Sequence, residues 1–239
     1  MSAASVVPAG HGEVIGDAPD RRVEVLCEHD AVHVTWTRFG PGRNGASPHI
    51  HRRHIDLFYV LEGELTVRLG PEGEEEVAVP AGNLVRVPPL VVHGFRNARD
   101  AELRYLNLHA PGRGFVGYMR ALRDGRTPVF DQHDPPADGG RPSTEAVIGP
   151  ADVEVADIAV REVSLEPGAA ARPPRSQNDG GGLDAFYVLD GELAVTAGGR
   201  DVRARAGAWV QVADALTPSV TAAGSAPVRY LHVRAPGQS

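Results

Sequence analysis

His49, His51, His54 and Asp56 crowd into the stretch SPHIHRRHIDLFYVLEGELTV, residues 47–67. Imidazoles together with a carboxylate form a mixed nitrogen and oxygen donor set of the kind that holds divalent transition metals. Side chains two apart on an extended strand share a face, so His49 and His51 can grip one ion from the same side. Asp56 has the parity of Phe58 and Val60, apolar positions expected to face a core. A carboxylate facing a core is costly unless it is paired or ligates a cation. Further on, PAGNLVRVPPLVVHGFRN (80–97) carries His93 in a second apolar strand. Three imidazoles and one carboxylate would leave two positions of a six-coordinate ion open to water, substrate or dioxygen. His54 reads as a loop or rim residue beside this set.

The elements that must position these residues repeat along the chain. FYVLEGELTV (58–67) returns as FYVLDGELAV (186–195), and RYLNLHAPG (104–112) as RYLHVRAPG (229–237). PAGNLVRVP (80–88) is matched by RAGAWVQVA (205–213), FGPG (39–42) by LEPG (165–168), and VIG (14–16) by VIG (147–149). Self-similarity on the scale of about a hundred residues means two copies of one domain rather than a solenoid. Short β-branched and aromatic runs alternate with Gly, Pro and Asp at the spacing of a sandwich or barrel. GFVGYMRALRDG puts Phe115, Tyr118, Met119 and Leu122 on one face of a short helix, which reads as packing on the first barrel rather than as a cofactor site. Residues 126–145, rich in Pro, Gly and Asp, read as a linker in which His133, Asp131 and Asp134 lack a frame for metal binding. The expected organisation is a first barrel with its helix over 1–123, a linker over 124–146 and a second barrel over 147–239.

The 239 residues, 42 % of them hydrophobic, suffice for two cores. No apolar run approaches the roughly 18 residues of a membrane span. The start MSAASVVPAGHGE lacks a basic segment followed by an apolar one, so a cytoplasmic location is expected. A net charge of -7, with Arg and acidic residues interspersed, leaves no nucleic-acid footprint. The single cysteine, Cys27, excludes disulfides and cysteine-rich zinc sites and reads as a buried structural thiol. No lysine occurs, which excludes Schiff-base, pyridoxal-phosphate and phosphate-loop lysine chemistry.

On these residues the chain resembles a cupin, and specifically a two-domain bicupin. Gly45, His49, His51, Asp56 and Gly63 follow the order and spacing of the family's first motif, with Asp56 where Glu is usual. Pro80, Gly82, Pro88, His93 and Asn97 follow the second. The resemblance implies an all-β fold of two tandem jelly rolls, or double-stranded β-helices, with a short helix and a linker between them. It also implies that His49, His51, Asp56 and His93 ligate one divalent transition metal: Fe, Mn, Ni, Co, Cu or Zn. The shorter Asp side chain retracts its carboxylate by about 1.5 Å. Asp56 would therefore bind directly if its strand moves in, or act through a water. In the second half Arg175 and Gln177 stand opposite His49 and His51, Pro218 opposite His93, and only Asp184 keeps the place of Asp56. That half is expected to be metal-free and to have a supporting role.

Fold does not choose the reaction. The ligand set suggests a metal-dependent oxidoreductase, a dioxygenase of the quercetinase-like or diketone-cleaving type acting on a small organic molecule. Trp36, Phe58, Val60, Phe95 and Tyr105 would wall its pocket, with Arg38 or Asn107 as a polar handle. Two other readings stand beside it. One is an isomerase of a sugar or keto acid with His54 or Tyr59 as base, and the other a non-catalytic metal- or small-molecule-binding module. The expected partner is a small-molecule substrate, and barrels of this kind often pair as homodimers.

Overall fold

The structure, a computed structural model, describes residues 3–173, 182–213 and 216–237. The first of two units is built from residues 13–28 and 32–150. Its larger sheet has the order Val147–Pro150, Asn83–Val87, Ile55–Glu62, Leu103–Ala110, Val32–Phe39, Arg21–His29, Glu13–Ala18. The smaller has the order Glu75–Pro80, Glu64–Leu69, His93–Arg96. Alternate residues of each strand point inward. Phe58, Val60, Val85 and Leu103 of one sheet thereby pack with Leu65, Val67 and Leu69 of the other. The jelly roll expected from the sequence is what these antiparallel sheets form.

The second unit repeats this plan. Its larger sheet runs Ala4–Val7, Trp209–Val212, Leu183–Asp190, Val228–Ala235, Ile158–Leu165, Asp152–Val155, and its smaller Ala170–Ala171, Ser219–Ala222, Glu192–Ala197, Arg200–Arg205. Phe186, Val188, Leu193, Val195, Val210 and Tyr230 fill its core. In the repeat these stand where Phe58, Val60, Leu65, Val67, Val85 and Tyr105 stand in the first core. Burying each such aromatic or aliphatic side chain contributes about 1.5–3 kcal/mol. The repeated glycine of VLEGEL and VLDGEL has a physical reason. Gly63 and Gly191 both have φ of 79°, and an added Cβ would lie 2.5 Å from the Glu102 carbonyl oxygen or 2.6 Å from that of Pro227.

The boundaries between the units fall elsewhere than the sequence suggests. Ala4–Val7, assigned from the sequence to the first barrel, pairs with Trp209–Val212 in the second unit. Val147–Pro150, assigned to the second, pairs with Asn83–Val87 in the first. Each is a four-residue strand completing a sheet edge, and its pattern alone does not identify the partner. The two VIG segments are accordingly not equivalent: Val14 and Gly16 lie in a strand paired with Arg21–His29, whereas 147–149 add to Asn83–Val87. Helix Phe115–Arg123 forms as its spacing predicts. Cys27 is buried, its thiol donating to the Val32 carbonyl. Among the described residues no helix is long and apolar enough to cross a membrane.

Candidate metal centre

His49 and His93 meet across an antiparallel bridge in which each backbone N–H donates to the other's carbonyl, at 2.9 and 3.0 Å. Gly45 permits this close loop, because a Cβ there would lie 2.2 Å from the Phe95 ring. His51 follows two residues after His49, and Asp56 enters from Ile55–Glu62 with the inward parity of Phe58. All four residues are buried, and one donor atom from each lies within 4.8 Å of every other.

The hydrogen bonds fix which atoms face the centre. Carbonyl oxygens only accept, so the Nδ1 of His49, His51 and His93 must carry the protons that they donate to Ser47 O (2.8 Å), Asp131 O (2.6 Å) and Val91 O (3.0 Å). In a neutral ring the Nε2 then bears a bare lone pair. Nε2 of His49 and His51 lie 3.2 Å apart, and Asp56 Oδ2 lies 3.3 Å from His93 Nε2 and 3.6 Å from His51 Nε2. Donor atoms about 2.1 Å from a common ion sit about 3.0–3.4 Å from one another. Burial, with the neighbouring His93 and His51, pushes His49 down to about 3, so its ring is neutral. Burial would raise Asp56, but His109, His51 and His93 outweigh it and hold the carboxyl well below the usual range, as an anion. Ring nitrogens and a carboxylate converging in a dry interior need positive charge among them, which a bound cation supplies. The donor set therefore fits a divalent transition metal.

A supporting shell orients these ligands. Asn107 donates both amide protons, one to Asp56 Oδ1 and one to the Leu57 carbonyl, which leaves Oδ2 of Asp56 aimed at the imidazoles. The segment read from the sequence as a linker folds onto this loop. Its Asp131 takes the His51 proton on its carbonyl, and its carboxylate accepts from the amides of Arg52 (3.1 Å) and Arg53 (2.7 Å). Burial opposes ionisation of Asp131, but those amides and His133 hold its pKa below the usual range. His133 belongs to no group that can hold a metal; it pairs with Ile50 and with Asp131.

His54 is not at the rim. It is buried, its Nδ1 lies 3.2 Å from Asp131 Oδ2, and its Nε2 lies 3.1 Å from His109 Nδ1. Burial, then His51, pushes His54 down to about 3, and burial lowers His109 well below its ordinary value. His51, His54 and His109 form a second histidine group beside the first. His109 carries the parity of Tyr105 and Asn107 along Leu103–Ala110, a signal the sequence held, although a lone histidine on an apolar strand ordinarily reads as core.

A cavity of about 210 Å³ opens over the centre. Phe95, Tyr105 and Asn107 line it as expected from the sequence; Trp36, Arg38, Phe58 and Val60 do not. Thr35, Thr37 and Phe39 face it from Val32–Phe39, since Thr35 pairs with Asn107 and Thr37 with Tyr105 in the sheet register. Trp36 and Arg38 therefore point to the other face, where Arg38 binds Glu102 at 3.2 Å. Phe58 and Val60 lie in the core, with Phe58 against Phe95 and Tyr105. The helix is part of the wall: Phe115, Tyr118, Met119 and Leu122 all face the cavity, and Phe115 stacks on His109 at 3.7 Å.

In the second unit the position of Asp56 is held by another buried acid. Asp184 lies 2.9 Å from His232 Nε2, and among the described residues no metal-holding group occurs there. Arg175 and Gln177 lie outside the described residues.

Residues 35–109 match the model of the cupin domain. Quercetin 2,3-dioxygenase of Bacillus subtilis (strain 168) is 27 % identical over 121 residues, which cover 50 % of this chain and 34 % of that protein. Among solved structures, a Pseudomonas aeruginosa protein named for glyoxylate induction superposes with a TM-score of 0.70 at 18 % identity, over 100 % of this chain and 90 % of that one. A deletion variant of Bacillus subtilis oxalate decarboxylase superposes at 0.64 and 14 % identity, over 98 % and 77 %. At such identities these two likenesses show the fold alone.

Proposed function

We propose that this protein, a bicupin whose first barrel carries the histidine and aspartate cluster, is a metal-dependent oxidoreductase, a dioxygenase acting on a small organic molecule. The observation that carries this reading is the convergence of three histidine Nε2 atoms and one carboxylate beneath an accessible cavity. The similarity to quercetin 2,3-dioxygenase over 121 residues supports it. One divalent transition metal, Fe, Mn, Ni, Co, Cu or Zn, would be held by His49, His51, Asp56 and His93. Such an ion supplies a Lewis acid and, where it is redox-active, a path for charge between substrate and O₂.

The protein's own part is placement. Asn107 and Asp131 fix the rotation of Asp56 and His51, while Phe95, Phe115 and Tyr118 keep the cavity wall apolar and restrict water. At about 210 Å³ the cavity is smaller than the roughly 300–1,000 Å³ that encloses drug-sized ligands. Catechols and β-diketones suit it better than three-ring flavonols. Oxygen uptake by protein loaded in turn with each of these ions except redox-inert Zn, against catechols, β-diketones and flavonols, tests the reading. Metal-dependent uptake with the smaller compounds is expected, and none with any compound would sink it.

A second reading has its own observation. His54 and His109, hydrogen-bonded to each other, give the site proton-handling groups that an isomerase of a keto acid or sugar requires. Exchange of substrate C–H for deuterium without O₂ uptake would favour it.

A further inference from the structure

We infer that the cavity takes a small organic acid, and that Arg21 holds its carboxylate while the rest of the molecule reaches the metal centre; this rests on the metal-dependent reading above. Arg21 opens the strand Arg21–His29 and has the parity of Val23, and both side chains line the cavity. Its neighbour Arg22, on the opposite face, is 2.7 Å from Glu24 and 3.6 Å from Asp17. Arg38, Arg96, Arg104 and Arg120 are likewise paired with carboxylates. The Arg21 guanidinium, half-buried in a cavity wall, has no such partner among the described residues. It lies close enough to Tyr105 for its charge to act on that hydroxyl, which places it on the Thr37 and Tyr105 side of the cavity.

Arg43 lines the cavity as well. Its Nη1 is bound to Asp20 at 2.8 Å, but its Nε is buried with no hydrogen-bond partner. An unpaired guanidinium in a cavity wall calls for an acceptor, and a planar carboxylate matches the guanidinium fork bidentately.

Charge and size narrow the class. Among the described residues the only carboxylate lining the cavity is Asp56, which is committed to the imidazoles and to Asn107. A divalent ion and Arg21 together carry three positive charges against that one negative charge, so a ligand that binds as a dianion neutralises the cavity, whether through two carboxylates or through a carboxylate and an ionised enol or phenol. The volume of about 210 Å³ is worth about seven waters of liquid. A dicarboxylic acid of a few carbons fits these limits.

The test uses the full chain loaded with Co(II), whose visible spectrum reports ligand exchange at the metal, together with titration calorimetry. The probes are malonate, succinate and glutarate, their monomethyl esters, and inorganic phosphate. At least one diacid should bind tenfold or more tightly than its ester, and Arg21→Gln should abolish that preference while metal content stays unchanged. Arg21→Lys, which keeps the charge and loses the fork, should restore the preference in part. Equal binding of diacid and ester by the wild type, or an undiminished preference in Arg21→Gln, overturns the assignment. Phosphate binding as tightly as the best diacid overturns the carboxylate class. Absence of metal from the wild type would sink the proposed function instead, and calorimetry on the metal-free chain would still report whether Arg21 selects the diacid.

Discussion

The two barrels are alike where they are apolar and unlike at the polar end of the same core. Phe58 and Phe186, Val60 and Val188, Leu65 and Leu193 are equally buried. Next to them the first barrel places three histidines and Asn107 around Asp56, whereas the second keeps Asp184 and sets His232 in the place of Asn107. Among the described residues the second jelly roll thus forms around a single buried Asp–His pair, so closure does not require the first barrel's group of imidazoles. They desolvate polar rings and an anion, a cost recovered only when a ligand joins them.

Four experiments would break or sharpen that contrast. The largest effect is expected from His93→Ala, which should abolish bound metal by elemental analysis of protein purified without chelator, while Asp184→Ala leaves the metal content as in the wild type. Metal retained in the first variant would remove the distinction between the barrels. Phe58→Ala and Phe186→Ala should each destabilise their own barrel by about 3–5 kcal/mol in denaturant titrations. A much smaller loss in one would show that the two cores are not equivalent. Asn107→Ala should weaken metal binding about 10- to 100-fold in competition with a chromophoric chelator, through loss of Asp56 orientation. His232→Ala should leave that affinity unchanged.

The smallest effect concerns acid. His49 and His54 are pushed down to about 3 by burial, whereas in the unfolded chain they titrate near 6.5. Between those values the unfolded state binds more protons, so stability falls as the pH drops from about 6.5 towards 3. The metal-free first barrel should therefore lose stability on acidification from pH 7 to 5, seen as a lower denaturation midpoint in chelator. A midpoint that does not move would contradict the neutral, buried state of these rings.

Much of this was legible in the sequence, for reasons that also mark where legibility ended. The repeat and the period-two pattern gave both barrels, and the parity of His49, His51 and Asp56, with the place of His93 in the second cupin-like motif, brought together the residues that the structure groups. On VHVTWTRF the sequence points to Trp36 and Arg38, the residues with the most chemistry, yet the inward face carries Thr35 and Thr37. Alternation alone fixes two faces without saying which is inside. Pairing with Asn107 and Tyr105 decides that, and pairing is a long-range property. His54 and Asp131 were read as rim and linker residues, and His109 was missed, for a related reason, since their contacts join segments 55 and 77 residues apart.

Strands Ala4–Val7 and Val147–Pro150 have a consequence for how such a chain can be divided. A cut at residue 123 would leave the metal-bearing piece without Asp131, on which His51 and His54 depend, and without Val147–Pro150, so that Asn83–Val87 becomes a bare edge. The other piece would lack Ala4–Val7 beside Trp209–Val212. Two halves that look like a duplication can then no longer be inherited separately: gene fission at the apparent seam would give two damaged barrels, and only a break that carries each short strand with its own sheet would give two whole ones.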